Sequence, residues 1–141
     1  MIQVILGDKG SGKTKRLIDL ANEALKQEHG NIIFIDDDKR YMYDLRHEIR
    51  FVDASEYPSC YKCTAGEFMA FMCGMLSADF DLSLIAVDAF KKLVKTGLDT
   101  DEMKGFFEKL ERLSEVHHCN FVLSVSVPDD SVPDFIRKYV L

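Results

Sequence analysis

The chain has 141 residues, 47% of them hydrophobic, with 18 lysine and arginine residues against 24 aspartate and glutamate residues. This length predicts one globular domain over residues 1–141, which needs no disulfide or metal ion in order to fold. The net charge of −6 disfavours a protein that holds nucleic acid by neutralising phosphates, because that function needs clustered lysine and arginine.

Apolar stretches in the sequence are all shorter than a membrane span. The first of them ends at Gly7, which is also too early for the apolar region of a signal peptide. We therefore expect a cytoplasmic protein without membrane contact, whose four cysteines stay reduced.

Strand and helix patterns alternate along the first half of the chain. Continuous apolar runs predict strands that are buried on both faces, and apolar residues that recur at helical spacing predict helices. By these criteria the first half contains a strand over 2–6, a helix from 13 to about 28 that ends at 29–31, a strand over 31–35, a short helix over 39–49 and an edge segment over 50–54.

The second half repeats this alternation. Thr64 and Glu67 have the spacing of a capping box, which predicts a helix start. The helix that begins there is expected to have a heavily buried face. The remaining predicted elements are a strand over 82–87, an amphipathic helix over 99–118 that turns Leu113 and Val116 inward, a strand over 120–127, a short helix between two prolines and a terminal strand over 139–141.

Strands that are separated by helices imply right-handed crossovers and a parallel sheet covered on both faces. The sequence therefore predicts an α/β fold. The expected architecture is a three-layer α/β/α sandwich around a mainly parallel sheet of five strands. Whether the sheet has one extra edge strand is not decided by the sequence.

A glycine-rich segment follows the first predicted strand. Residues 7–14 read GDKGSGKT, a full match to G-x-x-x-x-G-K-[ST]. Glycines let successive amides point at phosphate oxygens, and the helix that follows directs the positive end of its dipole to the same place. The segment is expected to bind the phosphates of a nucleotide through Gly7, Asp8, Lys9, Gly10, Ser11, Gly12, Lys13 and Thr14.

Three residues are expected to act on the nucleotide and its metal ion. Lys13 would stabilise the charge of the transferred phosphoryl group, and Thr14 would offer its hydroxyl to Mg²⁺. Asp88 ends the apolar strand over 82–87, which is the Walker B pattern, and is the expected carboxylate of the magnesium shell. An incidental turn would explain each feature alone, but their position after apolar strands favours nucleotide binding.

Hydrolysis also needs a group that orients water at the γ-phosphate. Many phosphate-loop ATPases carry a glutamate directly after the Walker B aspartate, but position 89 is alanine. Asp36, Asp37 and Asp38 follow the second predicted strand, and the carboxyl ends of parallel strands open onto one crevice. A solvated turn or a helix cap would explain this cluster equally well, and the sequence leaves open which of the three faces the γ-phosphate.

The order of these motifs resembles the RecA-like phosphate-loop ATPases, including KaiC-type proteins. The resemblance rests on the phosphate loop and on the segments FIDDDKRYMYDL, IAVDAF, FVLSVSV and YVL. It implies a catalytic acid at the end of the second strand, where the family has F-I-D-x-E, so Asp38 or Asp37 would orient water. It also places Ser124 and Ser126 in the strand with which the family reads the γ-phosphate.

The resemblance implies an Mg²⁺-dependent ATPase that binds ATP or another nucleoside triphosphate and acts as a switch or motor subunit. Another protein, or a second copy of the chain, is the expected partner. Nucleic acid is not, because the segment between Asp88 and Asn120 has room for essentially one helix. Two alternatives stay open: a thymidine-kinase-like phosphotransferase, and a nucleotide-gated interaction module without significant turnover.

Cys60 and Cys63 have the spacing of half a zinc site. The sequence holds no second pair of this kind, so zinc is not expected. Cys63 directly precedes the helix cap Thr64, and a helix start lowers the pKa of a nearby thiol. We therefore expect Cys63 to be the most reactive cysteine.

Overall fold

Five parallel strands form one sheet in the computed structural model, which describes residues 1–27 and 30–141. The predicted α/β class and the parallel sheet of five strands are confirmed, but the fifth strand is the predicted edge segment over 50–54 and not the predicted terminal strand over 139–141. The strands are β1 (Ile2–Gly7), β2 (Asn31–Asp36), β3 (Arg50–Asp53), β4 (Leu82–Val87) and β5 (Asn120–Ser126), and they lie side by side in the order β1, β5, β4, β2, β3.

Helices connect these strands except for β2 and β3, and the last helix follows β5. They are α1 (Lys13–Gln27), α2 (Ala65–Ala78), α3 (Phe90–Leu93), α4 (Asp101–His117) and α5 (Asp134–Arg137). The predicted capping box is confirmed, since Thr64 Oγ1 accepts from the Glu67 amide and Glu67 Oε1 accepts from the Thr64 amide. None of the helices in the described ranges has both the length and the apolar character needed to cross a membrane.

The core consists of two apolar clusters, and successive residues of the central strand β4 alternate between them. Leu84 and Ala86 pack in the cluster that contains the buried side chains of α1. Ile85 and Val87 pack in the cluster formed with α2 and α4. Burial on both faces explains why residues 84–87 of β4 are all apolar, and the helices on the two faces are compatible with three layers.

The segment over 39–49 is not the predicted helix. It contains a single 3-10 turn over Met42–Asp44, and Leu45 after it is extended. Asp38 Oδ1 accepts a hydrogen bond of 2.9 Å from the Arg40 amide, a local turn that competes with helix formation. Leu45 and Ile49 of this segment are nevertheless buried in the cluster of α1.

Three smaller predictions also differ from the structure. The helix α4 starts at Asp101 because Thr100 Oγ1 caps it by accepting from the Met103 amide, and Val116 on this helix is 63% exposed instead of inward. The terminal strand is reduced to one parallel bridge, between Val140 and Val4. The short helix α3 was not predicted, and the predicted end of α1 at 28 and 29 lies outside the described residues.

Candidate functional site

A cleft of about 870 Å³ lies at the edge where the parallel strands end. Residues from four segments line it: 9–19, 36–44, 88–92 and 124–126. These segments follow or end β1, β2, β4 and β5, whose carboxyl ends meet at one edge because the strands are parallel. Among the predicted site residues, those that line the cleft are Lys9, Gly10, Gly12, Lys13, Thr14, Asp37, Asp38 and Asp88.

The glycine-rich segment makes a tight turn between β1 and α1. Gly10 and Gly12 have φ angles of +82° and +87°, in the left-handed region that glycine enters without strain. The Ser11 amide donates to the Asp8 carbonyl at 3.1 Å. The first turn of α1 therefore points its free amides towards the cleft, as an anion site at a helix N-terminus requires.

Lys13 is only 8% exposed although it is charged. Its Nζ donates to the Asp8 carbonyl at 2.7 Å and lies 3.5 Å from Ser11 Oγ. The ammonium group is thus held by its own loop at the base of the cleft, where a bound anion would compete for it.

The side chains of Thr14 and Asp88 contact each other in the cleft. Thr14 Oγ1 donates to Asp88 Oδ2 at 2.9 Å, although the two residues are 74 positions apart. The other carboxylate oxygen of Asp88 accepts from Ser124 Oγ at 2.6 Å. Asp88 is 4% exposed, so both hydroxyls orient a carboxylate that is nearly closed off from solvent.

The contact of Ser124 with Asp88 follows from the sheet register. Val87 of β4 lies opposite Leu123 of β5, so the next residue of each strand, Asp88 and Ser124, falls side by side. The resemblance named Ser124 together with Ser126, as residues of the strand with which the family reads the γ-phosphate, and did not predict this contact. Knowing that β5 lies beside β4 would have been enough to find it.

The chain turns sharply directly after Asp88. Ala89 adopts a left-handed conformation with φ of +54°, which costs a residue with a side chain about 1–2 kcal/mol. Its amide donates to Ser124 Oγ at 2.9 Å, and Phe90 next to it is fully buried. These contacts hold the turn that carries Lys91 and Lys92 to the cleft.

Asp36, the last residue of β2, is the most deeply buried carboxyl group of the site, at 1% exposure. Its Oδ1 accepts from the Asp37 amide at 2.8 Å, and its Oδ2 has no hydrogen-bond partner among the described residues. Burial raises the pKa of Asp36 to about 9, and the negative charge of Asp88 contributes to the same shift.

Asp37 and Asp38, the predicted water-orienting residues, stand at the mouth of the cleft. Asp37 is 16% exposed, and its Oδ2 lies 3.7 Å from Lys92 Nζ. Asp38 is 44% exposed, and its two oxygens bind the amide and the guanidinium of Arg40 at 2.9 and 3.2 Å. Asp37 therefore faces inward more than Asp38 does.

The expected reactivity of Cys63 is wrong. This thiol is 3% exposed and donates to the Leu93 carbonyl at 3.4 Å. Burial raises its pKa to about 11, because desolvation outweighs the effect of the helix start. Among the described residues, no three histidine, cysteine, aspartate or glutamate side chains converge as metal ligands, so Cys60 and Cys63 lack a third ligand there.

Comparison with models of known protein families gives no match, and a search of curated proteins finds no similar sequence. Function therefore has to be inferred from the cleft itself.

Proposed function

We propose that the chain binds a magnesium nucleoside triphosphate in the cleft and hydrolyses it slowly, as a switch or motor subunit of RecA-like type. The observation that carries this proposal is the hydrogen bond from Thr14 to Asp88. A hydroxyl at the start of the helix and a carboxylate at the end of a neighbouring strand are the protein groups that hold Mg²⁺ against nucleotide phosphates.

The glycine-rich loop supports phosphate binding in the same place. Gly10 and Gly12 allow the tight turn, and Lys13 has only neutral oxygen partners in its loop, the Asp8 carbonyl and Ser11 Oγ. A phosphate oxygen offers the ammonium a charged partner, and charge-assisted hydrogen bonds are about twice as strong as neutral ones. Lys13 would then stabilise the charge of the transferred phosphoryl group.

The position of β2 supports the RecA-like assignment. This strand lies directly beside β4, so the acidic residues that follow β2 enter the same cleft as Asp88. The resemblance places the catalytic acid at the end of the second strand. Asp37 would orient the attacking water, with Asp38 as the other candidate, and bound Mg²⁺ would neutralise charge on the β- and γ-phosphates.

Slow turnover is proposed because two features weaken the catalytic apparatus. Position 89 is alanine, so a carboxylate directly after Asp88 is missing. Both candidate bases also have cationic neighbours, since Asp37 lies near Lys92 and Asp38 pairs with Arg40. Each carboxylate would have to give up its cationic neighbour in order to orient a water.

A phosphotransferase is the second candidate, and the size of the cleft favours it. Ile18, Tyr41 and Asp44 line the cleft together with the acidic residues that follow β2, and its volume is about 870 Å³. Such a cleft has room for a small acceptor molecule beside a nucleotide. Transfer of labelled phosphate from ATP to a nucleoside would identify this activity, whereas release of inorganic phosphate alone would identify an ATPase.

The proposal is tested by thermal unfolding of the purified chain with ATP or GTP, with and without Mg²⁺. Ligand at about 100 times its Kd stabilises a protein by about 2.7 kcal/mol, so a clear rise of the unfolding midpoint is expected. Lys13→Ala should abolish the rise. The matched control is Lys26→Ala on the same helix, because Lys26 is 59% exposed, pairs with Glu23 and is not among the residues that line the cleft. Unchanged midpoints of the wild-type chain with both nucleotides and Mg²⁺ would contradict the proposal.

A further inference from the structure

We propose that Asp36 is a direct ligand of the metal ion together with Asp88 and Thr14, and that this site binds a divalent cation before a nucleotide arrives. The inference rests on the proposed function for the roles of Thr14 and Asp88. It adds a second carboxylate to the site and makes metal binding independent of phosphate.

The unpartnered oxygen of Asp36 is the first observation. The side chain is 1% exposed and lines the cleft, yet Oδ2 has no hydrogen-bond partner among the described residues. Buried polar atoms are almost always paired in folded proteins, and an exception marks a place where an ion or water belongs. Only Oδ1 is occupied, by the Asp37 amide at 2.8 Å.

The position of Asp36 relative to Asp88 is the second observation. Ile35 of β2 lies opposite Val87 of β4, and the Asp88 amide donates to the Ile35 carbonyl at 2.8 Å. The next residue of each strand is an aspartate, so two carboxyl groups stand side by side where the strands end. Both are buried, at 1% and 4% exposure.

Neither carboxyl group has a cationic partner within the part of the chain that the structure describes. The ion pairs among the described residues include neither Asp36 nor Asp88. Of the lysines that line the cleft, Lys13 and Lys91 donate to backbone carbonyls and Lys92 lies against Asp37. Two buried carboxylates without a cation are unfavourable, and a divalent ion between them would neutralise both.

The available donors select the kind of ion. Two carboxylates and the Thr14 hydroxyl are hard oxygen ligands, which suit Mg²⁺ and Mn²⁺. Mg²⁺ in proteins is commonly held by one or two carboxylates, with water and substrate phosphate completing the shell. A nucleotide would then add its phosphate oxygens to an ion that is already bound.

The test measures Mn²⁺ binding without nucleotide by the loss of the free-ion signal in electron paramagnetic resonance. We expect the wild-type chain to bind one Mn²⁺ that Mg²⁺ displaces. Asp36→Asn and Asp36→Ser should each weaken binding at least about tenfold, since lost support of a metal site commonly costs 10–100-fold. The matched control is Asp44→Asn. Asp44 is exposed and lines the same cleft, and this substitution replaces the same kind of side chain. The Mn²⁺ affinity of this variant should stay within about twofold of the wild type.

Equal Mn²⁺ affinity in the wild type and in either Asp36 variant would overturn the proposal, and so would no binding by the wild type. Circular dichroism shows which variants are folded, and two different substitutions guard against the misfolding of one. ATP binding is measured separately, as the thermal shift with Mg²⁺. Mn²⁺ binding that needs Asp36 without any response to ATP would leave this inference standing and remove the proposed function. Equal Mn²⁺ affinity in the wild type and in both Asp36 variants, together with a clear thermal shift by ATP, would do the reverse.

Discussion

Ser124 Oγ lies 2.6 Å from Asp88 Oδ1 and donates a hydrogen bond to it. The same hydroxyl accepts from the Ala89 amide at 2.9 Å. Ser124 lines the cleft but is only 1% exposed, and its hydroxyl is already engaged by these two groups, so a structural role fits it better than contact with a ligand. One buried hydroxyl thus fixes both the orientation of Asp88 and the left-handed turn at Ala89.

Replacement of Ser124 by alanine should weaken both folding and nucleotide binding. It leaves an oxygen of Asp88 and the Ala89 amide without their partner, which costs about 1–3 kcal/mol of unfolding free energy. Mg²⁺-dependent nucleotide affinity should fall about 10–100-fold, because Asp88 loses its orientation. Urea unfolding and nucleotide titration measure the two effects.

The control for this prediction is Ser126→Ala. Ser126 lies two positions later in β5, also lines the cleft, and is exposed. Its substitution should change the unfolding free energy by less than about 0.5 kcal/mol. If Ser124→Ala bound nucleotide as tightly as the wild type, Asp88 would not depend on this hydroxyl.

Contacts that depend on local sequence were predictable, and contacts that depend on strand order were not. The glycine-rich loop and Asp88 were found because each directly follows an apolar strand. The hydrogen bond between Ser124 and Asp88 requires β5 to lie beside β4, and hydrophobic period carries no information on which strands are neighbours. The same holds for Asp36, whose contact with Asp88 comes from the pairing of β2 with β4.

Predictions from the spacing of apolar residues also fail in two segments of the chain. The segment over 39–49 has inward apolar residues at helical spacing, but the carboxylate of Asp38 bonds to the Arg40 amide and forms a turn. Val116 matches the apolar face of α4 yet is 63% exposed. This residue lies in the last turn of α4, which ends at His117.

Asp37→Asn should lower turnover more than Asp38→Asn does. The Asp37 side chain is 16% exposed and lies near Lys92 in the cleft, and under the proposed function it would orient the water at the γ-phosphate. Loss of a general base costs about 10²–10⁴-fold in rate, so phosphate release by Asp37→Asn should fall within that range. Nucleotide affinity should stay close to that of the wild type, because the amide keeps the shape of the side chain.

Asp38→Asn is the comparison for that experiment. Both oxygens of Asp38 bind Arg40, and the side chain is 44% exposed, so we expect turnover within about threefold of the wild type. A large loss in Asp38→Asn with little effect of Asp37→Asn would instead assign the water to Asp38, the position that the RecA-like resemblance indicates. Unchanged turnover in both would favour the interaction module without catalysis.

Of the two free cysteines Cys60 and Cys63, Cys63 should react more slowly with iodoacetamide. A pKa of about 11, against 9.0 for an ordinary cysteine, leaves about a hundredfold less thiolate at neutral pH. The pKa of Cys60 is also raised by burial, but this thiol is only half-buried. Peptide mass spectrometry after timed alkylation measures both rates, with the urea-unfolded chain as reference. Labelling of Cys63 before Cys60 in the folded chain would contradict the prediction.

Tyr139→Phe should destabilise the fold at neutral pH and have less effect in acid. The Tyr139 hydroxyl donates to Glu111 Oε1, and its ring stacks on Phe107 with 5.6 Å between ring centroids. Phenylalanine keeps the stacking and loses the hydrogen bond, which costs about 1 kcal/mol. This bond lowers the pKa of Glu111 below its ordinary value of 4.5. The contribution of the bond to stability is therefore complete above that value and is lost as the pH falls through the folded pKa.

Urea unfolding between about pH 7 and about pH 3 should therefore show a shrinking difference in unfolding free energy between the wild type and the variant. The control is Tyr43→Phe, at an 89% exposed tyrosine, which should match the wild type throughout. A difference that stays constant down to about pH 3 would show that the hydroxyl does not act through the charged form of Glu111.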